Sequence, residues 1–173
     1  FYGTANSNQM VLEAMGLQLP GSSFVNPGTE LRDALTRYTA QHITKISGKS
    51  SNFRPLGRVV DERAVVNGIV ALLASGGSTN HTIHLIAMAR AAGIIISWED
   101  MDKLSRVTPL LAKVYPNGSA DINHFHAAGG TGALFTELLS NGLMHGDALT
   151  TWGENFADFC VEPKFEHGQI QWS

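Results

Sequence analysis

Residues 61–93 have the sequence DERAVVNGIVALLASGGSTNHTIHLIAMARAAG, which holds two apolar stretches on either side of a glycine-rich break. Apolar residues recur at three- and four-residue spacing in both stretches, and this spacing predicts two helices. Asp61 is placed to cap the first helix, and Gly93 is placed to end the second. Both helices are apolar over most of their circumference, so we expect both to lie in the interior of a folded domain.

The break between these helices runs from Ser75 to His81 and combines two glycines with small polar residues. The glycines permit a tight turn that leaves backbone N–H groups uncovered. Ser78, Thr79 and Asn80 fall at the mouth of the second helix, where N–H groups and the helix dipole favour an anion. The pattern therefore has two interpretations. It is either a site for a carboxylate or phosphate, or a helix–loop–helix corner in which Thr79 or Asn80 caps the helix.

Helical spacing extends over most of the remaining chain. Thr4 is placed to cap one further helix, and a capping-box pattern at Ser97 opens another. Two short apolar runs, Ile94 to Ile96 and Leu110 to Tyr115, are predicted as strands. Because helices dominate and strands are few and short, the predicted fold class is the α-rich portion of an α/β domain. The other predicted helices cover residues 31–48, 121–128 and 131–140.

A second group of polar residues occupies positions 121–130, with the sequence DINHFHAAGG. Polar groups crowded beside a Gly-Gly break suit the wall of a pocket. His124 and His126 are candidate metal ligands, as are His81 and His84, but no cysteine or close carboxylate pair completes a zinc set. Solvated or hydrogen-bonded histidines are the other interpretation, and we predict no metal site within the chain.

Composition narrows the class of protein. The 173 residues suit one sizeable core, and the charged fraction of 16% lies below the roughly 25% of a typical domain. We therefore expect much of the surface to be covered by other protein. With a net charge of −3 and no basic patch, neither a nucleic-acid nor a membrane partner is expected. The single cysteine, Cys160, excludes an internal disulfide, fits a cytoplasmic location and has the apolar neighbours of an inert packed thiol.

Four stretches resemble the family of dihydroxy-acid and sugar-acid dehydratases. The patterns at residues 3–7 and 76–80 resemble sequences found across the family, whereas 80–82 and 121–125 are similar to its phosphogluconate branch. The likeness covers nearly the whole chain and weakens after about Gly142. The four stretches are 3–10 (GTANSNQM), 19–23 (LPGSS), 76–82 (GGSTNHT) and 115–130 (YPNGSADINHFHAAGG).

The resemblance implies a reaction and its cofactor. The reaction is the removal of water from 6-phosphogluconate, a small sugar-acid phosphate, to give 2-keto-3-deoxy-6-phosphogluconate. The family implies an iron–sulfur cluster, expected to be of the 4Fe-4S type, that acts as a Lewis acid on the leaving hydroxyl group. It also leaves room for an auxiliary divalent metal, and it implies a cytoplasmic homodimer.

The resemblance also implies how much of the enzyme this chain holds. In the family pattern one cluster cysteine lies two residues before the position that matches Phe1, and the other ligands lie further upstream. The catalytic base is expected in a C-terminal domain. We therefore expect residues 1–173 to be a single partial domain, the N-terminal dehydratase domain, without the upstream cluster-binding segment or the C-terminal domain. Such a chain has no catalytic residue and no metal ligand of its own, and alone it is expected to be inactive.

Site residues follow from the matched motifs. Thr4, Asn6 and Ser7 are implied to lie near the cluster. The implied substrate-binding residues are Ser78, Thr79, Asn80, Asn123 and His124.

Two alternatives stay open at this stage. One is a dehydratase for another sugar acid or a branched-chain dihydroxy acid. The other is a non-catalytic module that binds a ligand or mediates dimerisation through its apolar helices.

Overall fold

The computed structural model describes residues 2–173, which form eight α-helices, one 3-10 helix and one antiparallel hairpin. This α-rich architecture with few strands confirms the predicted fold class. None of the described helices is long and apolar enough to cross a bilayer. The elements are α1 (Thr4–Ala14), α2 (Glu30–Ile46), α3 (Leu56–Val59), α4 (Glu62–Ala74), α5 (His81–Ala91), α6 (Trp98–Val107), α7 (Ile122–Ala127), α8 (Gly130–Ser140), the 3-10 helix (Phe156–Phe159), β1 (Pro163–Glu166) and β2 (Gln169–Trp172).

Helix α4 is the centre of the fold and is buried along most of its length. One side packs into a cluster that includes Phe135 and Phe156, and the other side packs into a cluster that includes Val11 and Leu85. Burial of each such side chain contributes roughly 1.5–3 kcal/mol. Helix α1 crosses α4 closely because Gly68 has no side chain, and a methyl group there would lie 2.9 Å from Met15 Cγ. The interior position predicted for this helix is confirmed.

Helix α5 differs from its prediction. Its buried residues are His81, Leu85 and Ala89, which form a single stripe, while Ile83 is 68% exposed. Residues 2–173 cover α5 on one side only, through contacts with α4 and α1. The prediction of an interior helix is therefore wrong for α5 in the described part of the chain.

The two predicted strands are also wrong. Neither Ile94–Ile96 nor Leu110–Tyr115 forms a strand, because neither run lies beside a partner strand in residues 2–173. The second run instead lies against the C-terminal end of α4, where the N–H groups of Leu111 and Ala112 both donate to the carbonyl of Ala74, at 2.8 and 3.0 Å.

Helix caps follow the sequence closely except at α1 and at α5, where Asn80 takes the N-cap position without a capping hydrogen bond from its side chain. Asp61 caps α4 by accepting a hydrogen bond from the N–H of Ala64, and Ser97 and Asp121 form complete capping boxes for α6 and α7. Thr4 is not a cap, because α1 is preceded by Gly3 and Thr4 is its first residue. The Thr4 hydroxyl is thereby left for a tertiary contact.

The hairpin at the end of the chain was not predicted, since hydrophobic patterning is weak beyond residue 142. Its turn is formed by His167 and Gly168, which have φ angles of 53° and 79°, as the tight turns of two-residue hairpin loops require. The hairpin packs against α2, where the rings of Tyr38 and Trp172 lie 4.9 Å apart.

Candidate functional site

Side chains at the start of α1 meet the loop between α4 and α5. The Ser7 hydroxyl accepts a hydrogen bond from the backbone N–H of Ser78 at 2.9 Å. The hydroxyls of Thr4 and Ser78 are 2.9 Å apart, and the Asn80 amide donates to the Thr4 hydroxyl at 2.7 Å. We call Thr4, Ser7, Ser78 and Asn80 the hydroxyl–amide network. It joins two motifs that lie more than 70 positions apart in the sequence.

Glycine at position 77 makes this approach possible. A methyl group on Gly77 would lie 2.5 Å from Leu72 Cδ1 and 3.1 Å from the Ser7 hydroxyl oxygen. The preceding Gly76 has a φ of 60°, a left-handed conformation that side chains disfavour. The two glycines therefore end α4 and bring the loop backbone against α1.

Two of the backbone N–H groups that the sequence predicted to be uncovered have acceptors within the chain. The N–H of Ser78 donates to Ser7, and the N–H of Asn80 donates to the Ser78 hydroxyl at 3.3 Å. The loop thus presents mainly side-chain hydroxyl and amide groups. Asn80 is exposed, and the remaining polar atoms of its amide suit a ligand that carries hydroxyl groups.

Two other predicted residues lie on the same elements. Asn6 is half-buried in the first turns of α1. Thr79 is exposed, and its carbonyl accepts a hydrogen bond from the Thr82 hydroxyl at 2.8 Å, within the opening turn of α5. Their predicted roles stay predictions.

Asn123 and His124 lie on a different element, α7, which packs against α8. Both are exposed, and their N–H groups donate to the Asp121 carboxylate at 2.9 and 3.1 Å. The His124 ring accepts a hydrogen bond from the N–H of Asp121, which completes the capping box. The structure therefore gives these residues a local role in α7, and no hydrogen bond found among residues 2–173 links them to the hydroxyl–amide network.

His81 is buried beside the hydroxyl–amide network and contacts the backbone of one of its members, Thr4. The sequence did not predict this contact. Its side chain is 0% exposed, and Nε2 lies 3.1 Å from the carbonyl oxygen of Thr4. Nδ1 has no hydrogen-bond partner among residues 2–173. Burial lowers the pKa of His81, against the effect of the Thr4 carbonyl and with a smaller contribution from His84. The sequence did contain a signal for the burial of His81, because the residue lies at helical spacing from the apolar residues Leu85 and Ala89.

Glu13 is a second residue that the sequence analysis missed. It is 0% exposed, and its Oε1 accepts from the N–H of Gly21 at 2.8 Å and from the Thr131 hydroxyl at 2.5 Å. Oε2 accepts from the N–H and the hydroxyl of Ser23. Burial raises the pKa of Glu13, and the four hydrogen bonds act in the opposite direction. This carboxylate joins α1, the loop at residues 19–23 and the start of α8.

Glu162, which immediately precedes β1, also lies at the start of α8. Its Oε1 accepts a hydrogen bond from the N–H of Gly132 at 2.8 Å and lies 3.4 Å from the Thr131 hydroxyl. Burial raises the pKa of Glu162 to about 7, with a further increase from Glu13, while the bond from Gly132 lowers it. The glycine-rich start of α8 therefore binds a carboxylate of its own chain.

The described residues do not fit an iron–sulfur cluster. Residues 2–173 contain no group of three or more His, Cys, Asp or Glu side chains placed to hold a metal ion. Burial raises the pKa of the Cys160 thiol to about 11, whereas a cluster ligand must be a thiolate.

Comparison with known proteins identifies the family. The family model "Dihydroxy-acid/6-phosphogluconate dehydratase N-terminal" matches residues 1–159, and the chain therefore belongs to this dehydratase family. Phosphogluconate dehydratases of Escherichia coli (strain K12) and Rhizobium meliloti (strain 1021) are 58% and 55% identical to it, over 99% of this chain and 28% of each relative. A dihydroxy-acid dehydratase of Metallosphaera sedula is 35% identical, over 96% of this chain and 30% of the relative. The chain thus spans little more than a quarter of the length of these relatives.

Proposed function

We propose that the whole protein is a hydro-lyase that removes water from 6-phosphogluconate and forms 2-keto-3-deoxy-6-phosphogluconate. The observation that carries the proposal is the difference in identity between two kinds of relative. Relatives named phosphogluconate dehydratase are 58% and 55% identical to the chain, whereas the relative named dihydroxy-acid dehydratase is 35% identical. Sequence similarity of this degree favours the phosphorylated sugar acid over a branched-chain dihydroxy acid.

The chemistry of the hydroxyl–amide network supports a substrate with many hydroxyl groups. Thr4, Ser78 and Asn80 offer hydroxyl and amide groups, each of which can both donate and accept hydrogen bonds. A site built for hydrogen bonding discriminates strongly against analogues that lack the matching group, because its own polar atoms are then left unpaired. Gluconate carbons carry such hydroxyls, whereas the side chain of a branched-chain dihydroxy acid is apolar.

Within this proposal the residues of the chain bind and orient the substrate. Ser78, Thr79 and Asn80 form one wall, and Asn123 and His124 contribute polar contacts from α7. Thr4, Asn6 and Ser7 hold the start of α1 beside the cluster. No residue of the chain acts as the catalytic base.

The proposal extends to the cofactor and to the assembly. The whole protein contains an iron–sulfur cluster, expected as 4Fe-4S, whose cysteine ligands lie outside these 173 residues, and it can carry a divalent metal as well. It works in the cytoplasm as a homodimer. These parts of the proposal are supported by the family resemblance alone.

The test is a substrate panel. The whole protein, purified without oxygen and loaded with iron, is assayed for 2-keto acid formation from 6-phosphogluconate, gluconate and a 2,3-dihydroxy acid. We expect kcat/KM for 6-phosphogluconate to exceed both others by about 10²-fold or more, as a site with matched polar groups allows. A preference for either other acid would contradict the substrate assignment. Binding of 6-phosphogluconate without turnover by the iron-loaded protein would favour the non-catalytic alternative.

A further inference from the structure

We propose that His81 is a positioning residue for the substrate loop, on the condition that the loop serves the function proposed above. Its imidazole fixes the carbonyl of Thr4, and through Thr4 it fixes the side chains of Ser78 and Asn80. His81 is buried next to the network and takes no part in the network's own side-chain bonds.

The contact with Thr4 determines the tautomer of His81. A backbone carbonyl only accepts hydrogen bonds, so the proton of a neutral imidazole must lie on Nε2, which is 3.1 Å from the Thr4 oxygen. Nδ1 then carries a lone pair and faces no donor among residues 2–173. A second proton on Nδ1 would place a charge in a buried position without an acceptor, which is unfavourable. His81 is therefore neutral and protonated at Nε2.

The position of Thr4 controls two other members of the network, Ser78 and Asn80. Its carbonyl is held by His81, and its hydroxyl is bonded both to the Ser78 hydroxyl and to the Asn80 amide. If the first turn of α1 moves, the acceptor for Asn80 moves with it. His81 thus acts on the exposed amide of Asn80 without contact with the substrate.

The same contact argues against a metal at the histidine pair. The rings of His81 and His84 are 5.4 Å apart, but Nε2 of His81 is directed at Thr4. Residues 2–173 place no third ligand beside the pair.

Two substitutions separate the hydrogen bond from the bulk of the ring. In His81→Gln the amide nitrogen replaces Nε2 and can still donate to Thr4, whereas in His81→Asn the amide reaches only as far as Nδ1. We expect His81→Asn to lower kcat for 6-phosphogluconate by about 10²-fold, the effect of misplacing a binding group by about 1 Å. KM should change less, and His81→Gln should restore most of kcat.

His42 provides a matched control. Its Nε2 lies 2.7 Å from the carbonyl oxygen of Thr151, so it makes the same kind of contact at a distance from the network. His42→Asn and His42→Gln should both leave kcat and KM unchanged. A loss of kcat in His42→Asn equal to that in His81→Asn would overturn the positioning role.

Hydrogen exchange gives a readout that does not depend on activity. In the whole protein, His81→Asn should speed amide exchange over residues 3–10 and 76–82, and His81→Gln should not. If wild-type protein turns over no 6-phosphogluconate, the proposed function fails while the exchange result still decides the role of His81. Wild-type exchange in His81→Asn would contradict the proposal. If that variant does not fold, His81→Gln decides alone, and a folded His81→Gln protein that loses kcat about 10²-fold overturns it.

Discussion

The side-chain amide of Asn80 donates a hydrogen bond to the hydroxyl of Thr4 at 2.7 Å, although the two residues are 76 positions apart. This bond unites two motifs for which the sequence implied separate roles. Thr4 belongs to the stretch expected near the cluster, and Asn80 belongs to the stretch expected at the substrate. Because the two share a hydrogen bond, a change at one is expected to affect the other.

Removal of the Thr4 hydroxyl should therefore misplace the Asn80 amide. In Thr4→Val the Asn80 amide loses its acceptor and the Ser78 hydroxyl loses one of its two partners, and two lost neutral hydrogen bonds cost about 2 kcal/mol. We expect kcat for 6-phosphogluconate to fall about 30-fold, which corresponds to that free energy. Thr4→Ser keeps the hydroxyl and should behave as wild type. Equal kinetics for the Val and Ser variants would show that the bond does not serve the site.

Replacement of Glu13 by glutamine should destabilise the protein even though the shape is kept. Each carboxylate oxygen accepts a backbone N–H, Oε1 from Gly21 and Oε2 from Ser23. In either orientation, the glutamine NH₂ group faces one of these fixed donors. We expect Glu13→Gln to lower the free energy of unfolding by about 2–3 kcal/mol, as measured by urea denaturation.

The control for this substitution is Glu137→Gln. Glu137 is exposed on α8, and its Oε1 accepts from the Asn141 amide, which a glutamine oxygen can also do. Its unfolding free energy should stay within about 0.5 kcal/mol of wild type. A Glu13→Gln protein as stable as Glu137→Gln would contradict the four-donor account of Glu13.

Gly21→Ala should destabilise the protein far more than Gly28→Ala, although both glycines have positive φ angles, of 66° and 77°. Alanine at either position incurs the strain of a left-handed conformation, about 1–2 kcal/mol. At Gly21 the new methyl group would also lie 2.3 Å from Pro163 Cδ, whereas at Gly28 it would meet no atom within 4 Å among residues 2–173, apart from Gly28 and its two chain neighbours. Overpacking costs about 1–3 kcal/mol more. Comparable thermal unfolding of the two variants would refute the close contact between this loop and the hairpin.

Glu162 should make stability depend on pH. Its pKa rises from 4.5 to about 7 on folding, so between these values the folded state keeps a proton that the unfolded state has released. Stability from this group is therefore fully present below pH 4.5 and is lost as the pH rises to about 7. We expect a loss of about 1–2 kcal/mol, since solvent reaches the half-buried carboxyl and screens it.

Glu162→Gln isolates this contribution, because the glutamine oxygen can still accept from Gly132 and does not titrate. The unfolding free energy of wild type should fall relative to that of Glu162→Gln, by about 1–2 kcal/mol, as the pH rises through this range. A difference that is constant with pH would mean that Glu162 titrates normally in the folded protein.

The sequence predicted most helices because their signals are local. Asp61, Ser97 and Asp121 are followed at once by helical spacing, and the structure caps α4, α6 and α7 with them. The likeness of motifs implied that Thr4 and Ser7 lie near the cluster and that Ser78 and Asn80 bind the substrate. That they share hydrogen bonds was not predictable, because pairing across more than 70 positions depends on how α1 packs against α4.

The features that were not predicted correctly depend on residues distant in the sequence, which a local pattern does not contain. Ile94–Ile96 has the composition of a strand but no partner strand in residues 2–173. Glu13 appears in sequence as an ordinary surface glutamate, and it is buried because donors from residues 21, 23 and 131 converge on it. His81 was considered as a metal ligand or as a solvated or hydrogen-bonded side chain, but its partner, the Thr4 carbonyl, is set by the fold.

The most direct test of the account is anaerobic 2-keto acid formation from 6-phosphogluconate by the whole, iron-loaded protein, with the 173-residue chain assayed alone in parallel. We predict product from the whole protein and none from the chain, whose single cysteine cannot hold a cluster. The product should be 2-keto-3-deoxy-6-phosphogluconate, one water lighter than the substrate. No product from the iron-loaded whole protein would contradict the proposed function.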